Sequence, residues 1–219
     1  MMHAMGPSPL DGQAYPTPPW HTHGRAFVQP FVVDRQALRL PPGFDAVTIA
    51  GRAIGVLGLI EYVAPSPLVY AELVWMPCLA RAGGSRGYFV EKMYVDSEAS
   101  LAGGREIWAL PKQLARFSIG EREASIETSD GAHLVLELRR RGPTVPTSIA
   151  GATLQDGGDD IVRFKGSGTT RLRSGGLRVL EARGLDAWMG WTGARRMPGL
   201  GAALETFEVT MHPPRRLPR

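Results

Sequence analysis

The sequence predicts a single, predominantly β domain that is rich in turns. Its 27 glycines and 18 prolines interrupt the chain often, whereas long helical periods are few. Hydrophobic residues make up 43% of the 219 positions, which is enough to bury one good core. No apolar run approaches the length that spans a membrane, so we expect no membrane partner.

Charge and cysteine content exclude further classes of protein. The formal net charge is +4, but the arginines are spread along the chain and no nucleic-acid-binding motif accompanies them. We therefore expect a solvated basic face, which would also favour anionic substrates. The single cysteine, Cys78, excludes an internal disulfide, and the N-terminus lacks an export pattern. These features favour a cytoplasmic protein without a nucleic-acid partner.

The domain organisation follows from proline and charge distribution. Residues 1–19 are proline-rich and predict a flexible leader, 20–212 a single folded domain, and 213–219 a basic, frayed tail. His21 and His23 form a His-x-His pair, but no neighbouring cluster completes a metal site. We interpret both histidines as structural and expect no metal.

In the first half of the chain, residues 34–40 predict a short helix, and 44–50 and 53–63 predict strands. Residues 68–76 form a strongly apolar run with a single carboxylate, Glu72. Because both faces of this strand are apolar, we expect it to be central in the sheet. A carboxylate buried there must be paired or protonated.

The middle of the chain predicts a strand over 87–95, followed by a helix that Asp96 and Ser97 cap. This helix is expected to falter at Gly103–Gly104, because glycine weakens a helix interior. Beyond it, strands are predicted over 114–120, 125–128, 133–139, 161–165, 177–182 and 207–211, with a turn at 166–168.

One lysine stands apart from the other basic residues. Only three of the 25 basic residues are lysines, and Lys112 follows Pro111 within the apolar run 107–114. A desolvated lysine can lose its proton where an arginine cannot, which would allow Schiff-base chemistry. Alternatively, the amine reaches solvent from a hydrophobic loop, and local sequence alone favours this second interpretation.

The stretch Met93–Lys112 resembles the signature of the acetoacetate decarboxylase family. That signature has a Tyr-Val/Leu-Asp segment, a small-residue helix, Gly-Arg-Glu, and an apolar residue followed by Pro-Lys-Lys. The resemblance implies that Lys112 forms an imine with a ketone substrate and that Glu72 faces it. It also implies an active-site arginine at Arg25, for which an ordinary surface role is equally open, and Glu61 as a weaker acidic candidate.

Three further residues enter through the same resemblance. Arg105 and Glu106 belong to the Gly-Arg-Glu segment and are expected to support the site or bind substrate. The alternative is an ion pair between them that orders the loop. Gln113 replaces the second lysine of the family, so it supplies no like charge to lower the pKa of Lys112. Activation would then depend on apolar surroundings, with help from Arg25 or Arg105.

The resemblance implies an α+β, predominantly β fold, built as a cone-shaped barrel with a few short helices and the site inside it. It also implies a homo-oligomer that acts on a small oxo acid without a cofactor. We expect a lyase that decarboxylates acetoacetate or a related β-keto acid through Lys112. The alternatives are aldolase- or dehydratase-type imine chemistry on pyruvate-like substrates, and non-catalytic binding of carbonyl metabolites.

Overall fold

The computed structural model describes residues 15–219. Most of the leader expected over 1–19 lies outside these residues, but Tyr15 is buried. The strands are β1 (Trp20–Asp34), β2 (Asp45–Ala46), β3 (Arg52–Val63), β4 (Tyr70–Met76), β5 (Cys78–Ala82), β6 (Ser85–Phe89), β7 (Lys92–Val95), β8 (Lys112–Ile119), β9 (Glu123–Thr128), β10 (His133–Asp156), β11 (Ile161–Arg183), β12 (Arg195–Arg196), β13 (Ala202–Met211) and β14 (Arg215–Leu217). The α-helix α1 spans Glu98–Trp108, and Arg35–Ala37 forms a 3-10 turn. The described chain is predominantly β, as predicted.

All the strands belong to one sheet. Nine of them form a closed circuit of pairings, which runs β11–β13–β1–β3–β4–β7–β8–β9–β10 and returns to β11. The pairs in this ring are antiparallel except β7–β8, which is parallel and is connected through α1. A parallel pair requires such a crossover, because a short turn cannot return the chain to the same direction.

The side chains alternate between two faces of the ring. The largest core cluster occupies the face that we call the inner face, with contributions from most ring strands, among them Phe27, Leu59, Leu73, Tyr94, Leu134 and Leu177. The opposite, outer face carries two smaller clusters, and α1 packs there through Trp108 against Trp20. The ring therefore buries side chains on both faces where α1 covers it.

The helix α1 begins as predicted but extends further. The Ser97 side chain caps it by accepting a hydrogen bond from the Ser100 amide at 3.2 Å. Instead of faltering at Gly103–Gly104, the helix continues to Trp108 and ends at Ala109, which has φ 53°. The two glycines are needed for packing: a Cβ on Gly103 would lie 2.9 Å from Trp20 Cζ2.

Three local expectations differ from the structure. The helix expected over 34–40 is only the 3-10 turn at 35–37, and the turn expected at 166–168 lies inside β11. The tail is not frayed throughout, because β14 pairs with β11. Within residues 15–219, no helix is both long enough and apolar enough to cross a membrane.

Candidate active site

The amine of Lys112 is enclosed at the start of β8. The residue is 1% exposed, and its Nζ donates hydrogen bonds to Glu72 Oε2 and to Ser100 Oγ, each at 2.8 Å. A third, longer contact of 3.5 Å reaches the Tyr70 hydroxyl. The lysine expected to carry the chemistry is therefore buried and ion-paired, and it does not extend into solvent.

Glu72 balances this charge from β4, which β7 separates from β8 in the sheet. It is 5% exposed, and besides Lys112 it receives long hydrogen bonds from the Tyr62 hydroxyl (3.4 Å) and the Tyr70 hydroxyl (3.5 Å). Burial, together with the nearby negative charge of Glu72, raises the pKa of both phenols well above the usual value. Both tyrosines therefore stay neutral and act as donors, stacked with ring centroids 4.4 Å apart.

Strand register explains why these residues meet. Tyr62 pairs with Tyr70 across β3 and β4, and Glu72 lies two residues along β4, so it shares their face. Lys112 pairs with Met93 of β7, a residue of the outer-face core. The ladder thus aligns the lysine, the carboxylate and the two phenols on the outer face of the ring.

The helix side of the site depends on Gly104. A Cβ there would lie 2.5 Å from Lys112 Cδ and 2.6 Å from Cε, so a larger residue would occupy the space of the lysine stem. Backbone contacts fix the same region, because Leu110 N donates to Gly104 O at 3.0 Å and Lys112 N donates to Leu110 O at 2.8 Å. Arg105 Nε also donates to the Lys112 carbonyl at 2.8 Å.

A cavity of about 490 Å³ adjoins Lys112 between α1 and β8. Its lining includes Arg105, Pro111 and Gln113. Gln113 pairs with Tyr94 of the inner face, whereas Lys112 pairs with Met93 of the outer face, so the two side chains point in opposite directions. The residue at 113 therefore makes no direct contact with the amine.

The structure does not bring Arg25 and Glu61 to Lys112. The two residues pair with each other, with Arg25 Nε 2.5 Å from Glu61 Oε2, and this hydrogen bond raises the pKa of the guanidinium. Ile60 pairs with Glu72 and shares its face of the sheet. Glu61 is the next residue on β3 and pairs with Arg25, so both of these residues face the opposite, inner side of the ring. The Lys112–Glu72 cluster itself lies on the outer face beneath α1, whereas the family resemblance implied a site inside the barrel.

Glu106, the last of the predicted supporting residues, accepts a hydrogen bond from the Tyr15 hydroxyl and so ties α1 to the chain before β1. Sequence reasoning missed Ser100, Tyr62 and Tyr70. The alternation of Tyr70 and Glu72 at i and i+2 was a usable signal, because strand residues at this spacing share a face. Ser100 gave no comparable signal, since its role depends on how α1 docks.

Comparisons with known proteins identify relatives of this chain by sequence and by fold. The sequence model of the acetoacetate decarboxylase (ADC) family matches residues 5–165. The chain is 31% identical over 126 residues to acetoacetate decarboxylase 1 of Bradyrhizobium diazoefficiens, a match that covers 51% of this chain and 44% of that relative. The chain thus spans less than half of the length of this curated relative.

Two solved structures share the fold. Acetoacetate decarboxylase from Legionella pneumophila superposes with a TM-score of 0.61 at 18% identity, covering 97% of this chain and 92% of that chain. The enduracididine biosynthesis enzyme MppR, complexed with pyruvate, gives a TM-score of 0.61 at 15% identity, covering 94% and 93%. At these identities the likeness concerns the fold. The match over residues 5–165 shows more: this chain belongs to the acetoacetate decarboxylase family.

Proposed function

We propose that this protein is a lyase that forms a Schiff base through Lys112 and decarboxylates acetoacetate or a related small β-keto acid. The observation that carries the proposal is the buried Lys112–Glu72 pair, with Nζ and Oε2 2.8 Å apart. The sequence around Lys112 resembles the family signature whose first lysine forms the imine. A surface lysine would have no reason to be enclosed by Glu72 and Ser100 at 1% exposure.

The chemistry needs a neutral amine, and the cluster contains a proton acceptor for it. Glu72 takes a proton from the Lys112 ammonium across their 2.8 Å contact, and the free amine then attacks the ketone carbon. Loss of water gives a protonated imine, which accepts the electron pair released when the carbon–carboxylate bond breaks. Carbon dioxide leaves, the enamine carbon takes up a proton, and water hydrolyses the imine to release the ketone.

Burial supports these steps. Acetoacetate decarboxylase is itself the standard example of a lysine activated by its surroundings. In this chain Gln113 carries no charge, so the proton transfer we propose rests on the buried contact with Glu72 rather than on a second lysine. The neutral hydroxyls of Tyr62 and Tyr70 hold Glu72 in place without adding charge.

For the substrate carboxylate, the geometry favours Arg105 over Arg25. Arg105 lines the cavity that adjoins Lys112, and its Nε is already held by the Lys112 carbonyl. Its Nη atoms make no hydrogen bond with residues 15–219, so they are available to a carboxylate. Arg25 already forms an ion pair with Glu61 on the other face of the ring.

A second candidate function has a specific observation in its favour. MppR, which shares this fold, is seen in complex with pyruvate. The same buried lysine in this chain would support aldol- or dehydration-type chemistry on a pyruvate-like substrate, because those reactions also pass through an imine. In that case the substrate would keep its carboxylate.

Borohydride trapping separates these candidates. The protein is incubated with acetoacetate or with pyruvate, reduced, and weighed intact, alongside Lys112→Ala and the exposed-lysine control Lys165→Ala. An adduct of acetone mass that is lost only in Lys112→Ala supports decarboxylation. An adduct that retains the carboxylate supports the second candidate. No Lys112-dependent adduct with either acid contradicts imine chemistry at this residue.

A further inference from the structure

A charged cavity lies at the other end of β8 from Lys112. It measures about 670 Å³, and its lining includes five arginines and three glutamates. The arginines are Arg25, Arg122, Arg139, Arg140 and Arg141. Lys112 begins β8, whereas Arg122 lies beyond its last residue, Ile119, so the strand separates the two regions by about 23 Å.

Two of the three lining carboxylates are each shared by two arginines. Glu205 Oε1 lies 3.3 Å from Arg140 Nε and 3.0 Å from Arg173 Nε. Glu137 Oε2 lies 2.7 Å from Arg139 Nη2 and 3.7 Å from the Nη1 of a further arginine at 178. One carboxylate balances one positive charge, so this sharing leaves guanidinium charge without a counterion.

Two further observations indicate a surplus of positive charge in this cavity. Arg122 and Arg141 both line the cavity and form no ion pair with any residue in 15–219. Nearby, the pKa of Arg196 is lowered, first by burial and then by the positive charges of Arg139 and Arg178. Both observations mean that the cavity carries a positive potential that its own carboxylates do not cancel.

Part of the lining is fixed by contacts of its own. The Arg140 guanidinium lies 4.4 Å from the centre of the Phe27 ring, and Arg140 Nη1 donates to the Glu121 carbonyl at 2.6 Å. Leu138 N donates to the Arg122 carbonyl at 2.8 Å, which fixes the β8–β9 turn against β10. The Arg140 guanidinium and the backbone that carries Arg122 are thus positioned before any ligand arrives.

We propose that this cavity binds a small anion with two or more negative charges, carried on phosphate or carboxylate groups. Guanidinium groups pair with either oxyanion through two parallel hydrogen bonds, and two lining arginines lack a partner within the described chain. The volume lies in the usual range for small-ligand sites. This binding is independent of the imine chemistry, because Lys112 faces the outer side at the opposite end of β8.

The test measures binding by calorimetry and by thermal stability, at near-physiological ionic strength. The probes are pyrophosphate for the phosphate class and succinate for the dicarboxylate class. The binding variant is Arg122→Gln/Arg141→Gln. The matched control is Arg81→Gln/Arg86→Gln, which removes the same charge from two exposed cross-strand neighbours on β5 and β6 outside the cavity.

We expect saturable binding of at least one probe to the wild type, with affinity reduced at least tenfold in Arg122→Gln/Arg141→Gln and retained in the control. Lys112→Ala should bind the probe like the wild type. Pyrophosphate alone, succinate alone, or both would identify the ligand class. No saturable binding of either probe would overturn the proposal, as would an equal loss in the two double variants or a loss in Lys112→Ala.

Discussion

The Lys112 cluster and the arginine-lined cavity treat positive charge in opposite ways. Beneath α1, one ammonium meets one carboxylate, and neutral hydroxyls complete the contacts away from water. At the far end of β8, an open cavity holds five arginines against three glutamates. A buried charge needs a partner because desolvation is costly, whereas a solvated cavity tolerates a surplus. Burial thus requires a counterion for Lys112, whereas exposure lets the arginines keep a surplus of positive charge.

The largest expected effect comes from unbalancing the buried pair. Glu72→Leu leaves the Lys112 ammonium buried without its counterion, so the free energy of unfolding should fall by about 3–5 kcal/mol. The double variant Lys112→Met/Glu72→Leu should recover most of that loss while forming no imine. Chemical denaturation of the three proteins measures this coupling. A double variant as unstable as the single one would show that charge balance is not what stabilises the cluster.

Gly104→Ala tests the space around the lysine stem. The new Cβ would lie 2.5 Å from Lys112 Cδ, so we expect a loss of about 1–3 kcal/mol in stability. Imine formation should also slow by about 100-fold, because a shift of about 1 Å in a reacting group has that effect. The control is Gly151→Ala, where a Cβ meets nothing within 4 Å. Equal trapping rates in wild type and Gly104→Ala would contradict this role.

Glu91 is a largely buried carboxyl outside both regions, and its Oε2 has no hydrogen-bond partner within the described residues. Burial raises its pKa from 4.5 to about 7, against the opposing influence of Lys92. The folded state therefore favours the protonated form. The contribution of protonated Glu91 to the free energy of unfolding is complete below pH 4.5 and is lost as pH rises through about 7. We expect this loss to lower the free energy of unfolding by about 1–3 kcal/mol.

Glu91→Gln should accordingly flatten the fall in melting temperature between pH 4.5 and 7 and make the protein more stable than wild type above pH 7. Thermal unfolding across this range provides the measurement. Replacement of the exposed Glu123 by Gln is the control and should leave the pH dependence of wild type in place. A Glu91→Gln profile parallel to that of wild type would exclude Glu91 as its source.

The smallest effect concerns the cavity without a ligand. Removing charge in Arg122→Gln/Arg141→Gln should relieve repulsion and raise the free energy of unfolding by less than about 0.5 kcal/mol. The gain should disappear at high salt, because ions screen exposed charges. Denaturation at low and high ionic strength measures it. A decrease in stability at low salt would mean that these arginines are structural.

Local sequence was informative about single elements. Asp96 and Ser97 marked the start of α1, and the apolar run around Glu72 indicated a central strand that must pair its carboxylate. The predicted end of the helix was wrong, because Gly103 and Gly104 resemble helix breakers as long as their neighbours in space are unknown. Glycine is required at these positions because the side chains of Trp20 and Lys112, which belong to other elements, occupy the space next to the helix.

The pairing of strands could not be predicted from the sequence. The alternation of β1 and β3 fixes which residues share a face, but only the pairing of Ile60 with Glu72 shows that Arg25 and Glu61 face away from Lys112. The length of β11 was equally hidden, because its glycines at 166 and 168 suggested a turn. There, Gly168 is required by the neighbouring strand, since a Cβ would lie 1.8 Å from the Glu208 carbonyl oxygen.

The closure of the ring depends on β13, a strand that lies late in the chain. Every strand that carries a residue of the Lys112 cluster lies within 52–119, whereas β1 is completed by β13, where Trp20 pairs with Met211. During synthesis, the strands that carry the Lys112–Glu72 pair therefore leave the ribosome before β13, the partner of one edge of β1. An unpaired edge strand is a template for wrong association. The last strand of the ring in chain order therefore covers an edge of β1 that stays open until late in synthesis.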